Sequence, residues 1–225
     1  MVRKIGASRL PLTLVCLLAI ALVAPLAHAS LLTVGGSVPP APITPAGPVV
    51  ASTTGTIATP TFTANFKENV YADPTDGITA SCASSGKCLD FVFQFTNLST
   101  SKSVIERFSM SSFGASMTAV GTSPFGGLLD PVTITRSTSG EVVAFNYNPF
   151  GIQVSPGETT PWLVIQTNAV TWTTGFVSAQ DGTAGSGAAI VPFAVTPEPS
   201  SLALIGGGLS VFGVLLRRLR PGKLV

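Results

Sequence analysis

Histidine is almost missing from this chain. One occurs in 225 residues, His28, inside a stretch with the character of a removable leader. Cysteine is scarce as well, with Cys16 in that same stretch and only Cys82 and Cys88 beyond it. Without imidazole the body of the protein has no Ser-His-Asp or Cys-His machinery. It also falls short of the sulfur and imidazole ligands that common zinc centres require. Neither a P-loop nor a GxGxxG fingerprint in a strand–turn–helix setting is present. The triplet Gly206-Gly207-Gly208 lies in an apolar run, not in a phosphate loop. Charge is sparse too, at 10% of residues. Between Ser30 and Thr196 five basic residues face nine acidic ones, a net charge of −4, although the whole chain reads +2. A mildly acidic body with scattered lysines offers phosphates no clustered Lys and Arg, which argues against nucleic acid as a partner.

What the chain does have is Thr, Ser, Gly, Val and Phe, a composition that favours strands and turns over charged surface helices. Its ends are of a different kind. Residues 1–29 read as a secretory signal peptide: Arg3, Lys4 and Arg9 form a positive head, and Leu10 to Leu26 an apolar core. Ala27-His28-Ala29 places small residues at −3 and −1, so cleavage is expected before Ser30. The alternative is an uncleaved membrane anchor.

Near the other end stand Pro197, Glu198 and Pro199, then an apolar run from Leu202 to Leu216, then Arg217, Arg218 and Arg220. Seventeen residues from Ser200 to Leu216 span roughly 25 Å as a helix, the short end of a membrane crossing that flanking arginines extend by snorkelling. The arginines hold the C-terminus in the cytoplasm and so place the preceding domain outside. The leader predicts the same side. Two prolines hold Glu198 extended and out of any helix, the conformation a peptidase binds.

Pro-Glu-Pro, apolar helix and arginine cluster, in that order, resemble the PEP-CTERM sorting signal of exopolysaccharide-producing Gram-negative bacteria. The resemblance implies an integral membrane exosortase that recognises this segment and cuts near the Pro-Glu-Pro. It also implies a place in biofilm or extracellular-matrix assembly. An uncleaved tail anchor with a rigid proline hinge is the alternative. Phe91 to Asn97, Val104 to Phe108 and Leu163 to Asn168 also resemble segments that recur in exported proteins of this kind.

Residues 38–48 carry five prolines in eleven positions, which predicts an extended, PPII-like linker or loosely packed arm over 30–48. Beyond it, nine β-like runs are expected: Val49–Ser52, Thr61–Tyr71, Leu89–Asn97, Val104–Phe113, Val132–Thr135, Glu141–Tyr147, Pro161–Asn168, Thr171–Ala179 and Ala188–Val195. In the third, Phe91, Phe93 and Phe95 alternate with Val92 and Gln94, which sends the rings to one face. Turn residues punctuate the runs, as at Asp73-Pro-Thr-Asp-Gly and Ser155-Pro-Gly. The expected architecture is all-β: one β-sandwich-like domain over 49–195, flanked by the signal peptide and by a C-terminal transmembrane sorting helix within 196–225.

Cys82 and Cys88 enclose five residues ahead of the Phe-rich strand. In an exported protein they read as a disulfide, worth roughly 2 kcal/mol for so short a loop. Carboxylates capable of glycoside hydrolysis occur singly, at Asp73, Asp76, Asp90, Glu106, Glu141 and Glu158, with nothing to distinguish a pair. Asp73 and Asp76 could offer oxygens to calcium but lack the EF-hand pattern. Glu106 and Arg107 are neighbours on a strand and point to opposite sides. Trp162, Trp172, Tyr71 and Tyr147 are candidates for stacking on sugars, weighed against burial in the core. The expectation is a non-enzymatic surface or matrix protein without a cofactor. A carbohydrate-binding module that retains exopolysaccharide is the alternative.

Overall fold

The computed structural model describes residues 30–74, 88–114, 116–123, 129–148 and 151–193. Residues 1–29 and 194–225, with both terminal signals, lie outside these, as do Asp76 and Cys82.

Twelve strands build two six-stranded sheets in which every pairing between strands is antiparallel. In chain order they are β1 (Ser30–Leu31), β2 (Ser37–Val38), β3 (Val49–Ala58), β4 (Thr63–Asp73), β5 (Cys88–Asn97), β6 (Arg107–Met110), β7 (Thr118–Ser123), β8 (Thr133–Arg136), β9 (Val143–Asn146), β10 (Trp162–Thr167), β11 (Trp172–Gln180) and β12 (Ala184–Pro192). One sheet runs β1-β7-β10-β5-β4-β3 and the other β12-β11-β6-β9-β8-β2. All nine expected strands are present. Three more, β1, β2 and β7, come from segments that carry little strand signal.

The core lies between the sheets and is aromatic. Phe91, Phe93 and Phe95 all point into it, as the alternation of β5 requires. Phe95 stacks on Phe108 of β6 at 4.1 Å between ring centroids, and Tyr147 meets Phe108 edge-on at 5.9 Å. Phe113 closes one end, edge-on to Phe91 at 5.8 Å. Rings in offset or T-shaped contact add to what burial alone contributes.

Residues 38–48, expected as a linker or loosely packed arm, lie against the first sheet. The segment is extended, as its prolines demand, but it is a strap docked on the outer face of the first sheet. Ile43 donates its N–H to the Thr122 carbonyl at 2.8 Å, and Thr122 donates back to Ala41 at 2.9 Å. Buried Ile43 packs on Val92 and Val164, the residues of β5 and β10 that face away from the main core. Farther along, the Ala46 N–H reaches Asp73 Oδ2 at 3.2 Å and the Ala72 N–H reaches the Pro48 carbonyl at 3.0 Å. Bare backbone at Gly121 permits the approach, since a Cβ there would run into the Ala41 carbonyl and the Ile43 side chain. Ahead of Val49, β1, β2 and the strap are thus paired with or packed on the sheets.

Candidate functional site

Strand direction gives the sandwich two unlike ends. At one of them the chain enters at β1 and leaves after β12. The Leu32 N–H bonds to the Thr118 carbonyl at 2.9 Å, and the Phe193 N–H to that of Thr171 at 2.9 Å. Both termini of the described domain therefore sit at the same end, with the start of β7 and the β10–β11 connection between them.

Arg136 organises that end. Its side chain is buried, and its guanidinium donates to five neutral oxygens: Gly140 O at 3.0 Å through Nε, Leu32 O at 3.3 Å and Thr118 Oγ1 at 3.1 Å through Nη1, and Phe113 O at 2.8 Å and Ser116 O at 2.7 Å through Nη2. A planar fork with five N–H groups suits such an array, which an ammonium cannot reproduce. Burial draws its pKa down from the usual value, and nearby Glu141 opposes the shift. The group clasps the N-terminal segment, the 113–116 loop and the β8–β9 turn together.

Glu68 is the second buried ion-forming group that the sequence reading passed over. It faces the core from β4, in phase with Ala64, Phe66 and Val70. Its Oε2 accepts the Ile190 N–H of β12 at 2.8 Å, which joins the two sheets. Its Oε1 is buried with no hydrogen-bond partner. Burial pushes its pKa up to about 8, against the opposing pull of the Ile190 hydrogen bond. At neutral pH this is a protonated acid.

The expected carboxylates are dispersed. Asp73 is buried beneath the strap end, where it holds Ala46. Asp90 is buried on the outer face of β5 and accepts Gln166 Nε2 at 3.2 Å. Glu106 accepts Asn148 Nδ2 and Gln153 Nε2, each at 3.0 Å, at the end of the sandwich opposite Arg136. Glu158 accepts the Ser155 N–H at 2.7 Å in its own turn, and Glu141 is exposed in the β8–β9 turn. Asp73, Asp90, Glu106, Glu141 and Glu158 thus belong to different structural features.

The aromatic candidates separate in the same way. Tyr147 is fully buried between the sheets, and burial drives its phenol well above the usual pKa. Tyr71 and Trp162 are half-buried around the small cluster under the strap. Trp172 alone is exposed, on the outer face of β11. They form no common platform. Cys88 is buried at the head of β5, opposite Asp73; its expected partner Cys82 lies outside the described residues, as do Ala27, Ala29, Pro197, Glu198, Pro199, Arg217, Arg218 and Arg220. Ser30 opens β1, paired with Val120.

Among the described residues no helix is long and apolar enough to cross a membrane. None of their His, Cys, Asp and Glu residues assemble in groups of three or more suited to a metal ion. No curated protein and no solved structure matches the chain. The family described as the PEP-CTERM protein-sorting motif matches residues 195–220. That stretch begins two residues past Phe193, the last of the described residues. Residues 195–220 thus carry a PEP-CTERM protein-sorting motif, which implies an exosortase-sorted protein with export and membrane-anchored sorting.

Proposed function

We propose that this protein is a non-enzymatic surface or matrix component, held at the membrane by its C-terminal segment until an exosortase-type peptidase acts near Pro197-Glu198-Pro199. The observation that carries the proposal is the PEP-CTERM match at residues 195–220. Support comes from the sandwich itself. Three of its buried ionisable groups are spent on structure: Arg136 on five oxygens, Glu68 on an inter-sheet bond, and Asp73 on the strap. The signal peptide, with cleavage before Ser30, delivers the chain to the exterior, and a Cys82–Cys88 disulfide forms there. Burial of Cys88 at the mouth of the β4–β5 connection suits such a staple. The finished domain associates with exopolysaccharide of the producing cell.

The test is a Glu198→Ala variant expressed in the native host. Full-length protein retained in the membrane fraction, with loss of the released form, is the expected result. Unchanged release would contradict recognition at this motif.

A further inference from the structure

The exposed apolar residues are not spread evenly. Ten large apolar residues are exposed among the described residues. Phe176, the most exposed at 60%, lies in mid-β11, Ile152 lies beyond β9, and Val49 and Val50 open β3. Leu31, Val34, Met117, Val170, Trp172 and Phe193 are each between 41% and 54% exposed. The topology brings all six to the end where the termini lie. Leu31 pairs with Ala119 at the start of β7, and the Met117 N–H bonds to Asn168 Oδ1 at 2.8 Å. Val170 sits in the β10–β11 connection, Trp172 opens β11, and Phe193 follows β12 directly across from Thr171. Val34 lies against Gly140, in the turn that Arg136 clasps. The ionic residues show the reverse distribution. Lys102, Glu106, Arg107, Asp130, Glu158 and Asp181 lie at the opposite end, around the starts of β4, β6, β8 and β10. Among the described residues, Glu141 is the one exposed carboxylate at the apolar end; Arg136, Asp73 and Asp90 are buried there, and exposed Lys67 lies in mid-β4.

We infer that this apolar end seats on the lipid bilayer interface, so that the domain stands on the membrane with its charged end outward. The inference rests on the anchored reading above. The covalent chain supplies the argument for a bilayer as occupant. Leu202, the first residue of the apolar run, follows Phe193 by nine positions. Such a stretch spans at most about 30 Å. Phe193 is itself part of the patch, so the tether springs from the surface that it holds near the lipid. Confinement on so short a leash raises the effective concentration of the patch at the interface, and weak apolar contacts then suffice. Trp at a membrane surface is favoured because its ring is apolar on its faces and polar at its N–H. Seated this way, the domain keeps Pro197, four positions after Phe193, within about 15 Å of chain from the interface, inside the reach of an integral membrane peptidase.

Two tryptophans at opposite ends make the inference measurable. Trp172 is in the patch, whereas Trp162 opens β10 across from Ser123 at the charged end. The full chain is reconstituted in phosphatidylethanolamine–phosphatidylglycerol vesicles containing a lipid spin-labelled near the headgroup. The Trp162→Phe variant leaves Trp172 as the emitter, and Trp172→Phe leaves Trp162. The expected result is marked loss of Trp172 emission and none of Trp162 emission. Equal quenching of the two, or no quenching of Trp172 in a chain that stays with the vesicles at alkaline pH, overturns this inference alone. A chain that alkaline washing strips from the vesicles overturns the anchored reading and this inference with it. Trp172 shielded by added exopolysaccharide but not by lipid, or shielded equally in detergent as a dimer, assigns the patch to another occupant and overturns the inference. If either variant fails to fold, the difference between the parent chain and the other variant gives the same readout.

Discussion

Raising the pH from 5 to 8.5 should loosen this protein, and the cause should be one residue. Glu68 is 1% exposed, and its pKa is raised to about 8. An unfolded chain releases this proton near pH 4.5, while the folded chain keeps it until about pH 8. Between those values the folded state binds more protons, so its stability falls as pH rises. The contribution is full below the unfolded value, declines through the window and is lost above about pH 8. The gap corresponds to a ceiling of ~5 kcal/mol, and relaxation around the ionised group brings the expected loss to on the order of 2–4 kcal/mol. Asp181, whose pKa is lowered by hydrogen bonds from Thr183 and Thr61 despite opposing desolvation, acts below this window and with the opposite sign. Glu68→Gln removes the titration and keeps an oxygen for the Ile190 N–H. Urea unfolding of the purified protein in mild detergent should show wild type and variant within about 1 kcal/mol at pH 5, and the variant ahead by on the order of 2–4 kcal/mol at pH 8.5. Parallel curves across that range would refute the assignment.

Arg136→Lys should cost ~3 kcal/mol or more, since an ammonium leaves several of the five oxygens unpaired in a buried site. Amide exchange at Leu32, bonded to Thr118, should accelerate with it. Gly121→Val should lift the strap from β7, with a loss of about 1–3 kcal/mol and new proteolytic cleavage within residues 39–48. Intact strap protection in that variant would contradict the docking. Thiol titration of the denatured, unreduced extracellular protein should find no free cysteine, and Cys82→Ser should lower stability by roughly 2 kcal/mol. Two titratable thiols in the wild type would remove the disulfide.

Much of the architecture was legible because β periodicity is local. The Phe91, Phe93, Phe95 alternation sets both the strand and its inward face. β7 escaped notice because Thr118-Ala-Val-Gly-Thr-Ser is built from small residues. The reason lies elsewhere in the chain, where the strap passes over Gly121 and leaves no room for a side chain. The seat of the proline-rich segment was hidden for a related reason. Proline density sets the extended conformation of residues 38–48 but says nothing of what lies beneath, and only the outward-facing Val92 and Val164 reveal an apolar seat. Glu68 carried a signal that went unread: it occupies an apolar phase of β4, between Phe66 and Val70. Arg136 carried none, because its acceptors come from backbone segments distant in sequence. The sorting motif needed no fold at all, since its three parts are contiguous.

Terminal mapping of the native protein by mass spectrometry, in the parent strain and in one lacking the exosortase, tests the central claim most directly. The account predicts an extracellular form that begins at Ser30 and ends near Pro197-Glu198-Pro199, replaced in the deletion strain by a membrane-bound form that still carries Arg217 to Val225. An extracellular form with Arg217 to Val225 intact in both strains would contradict it.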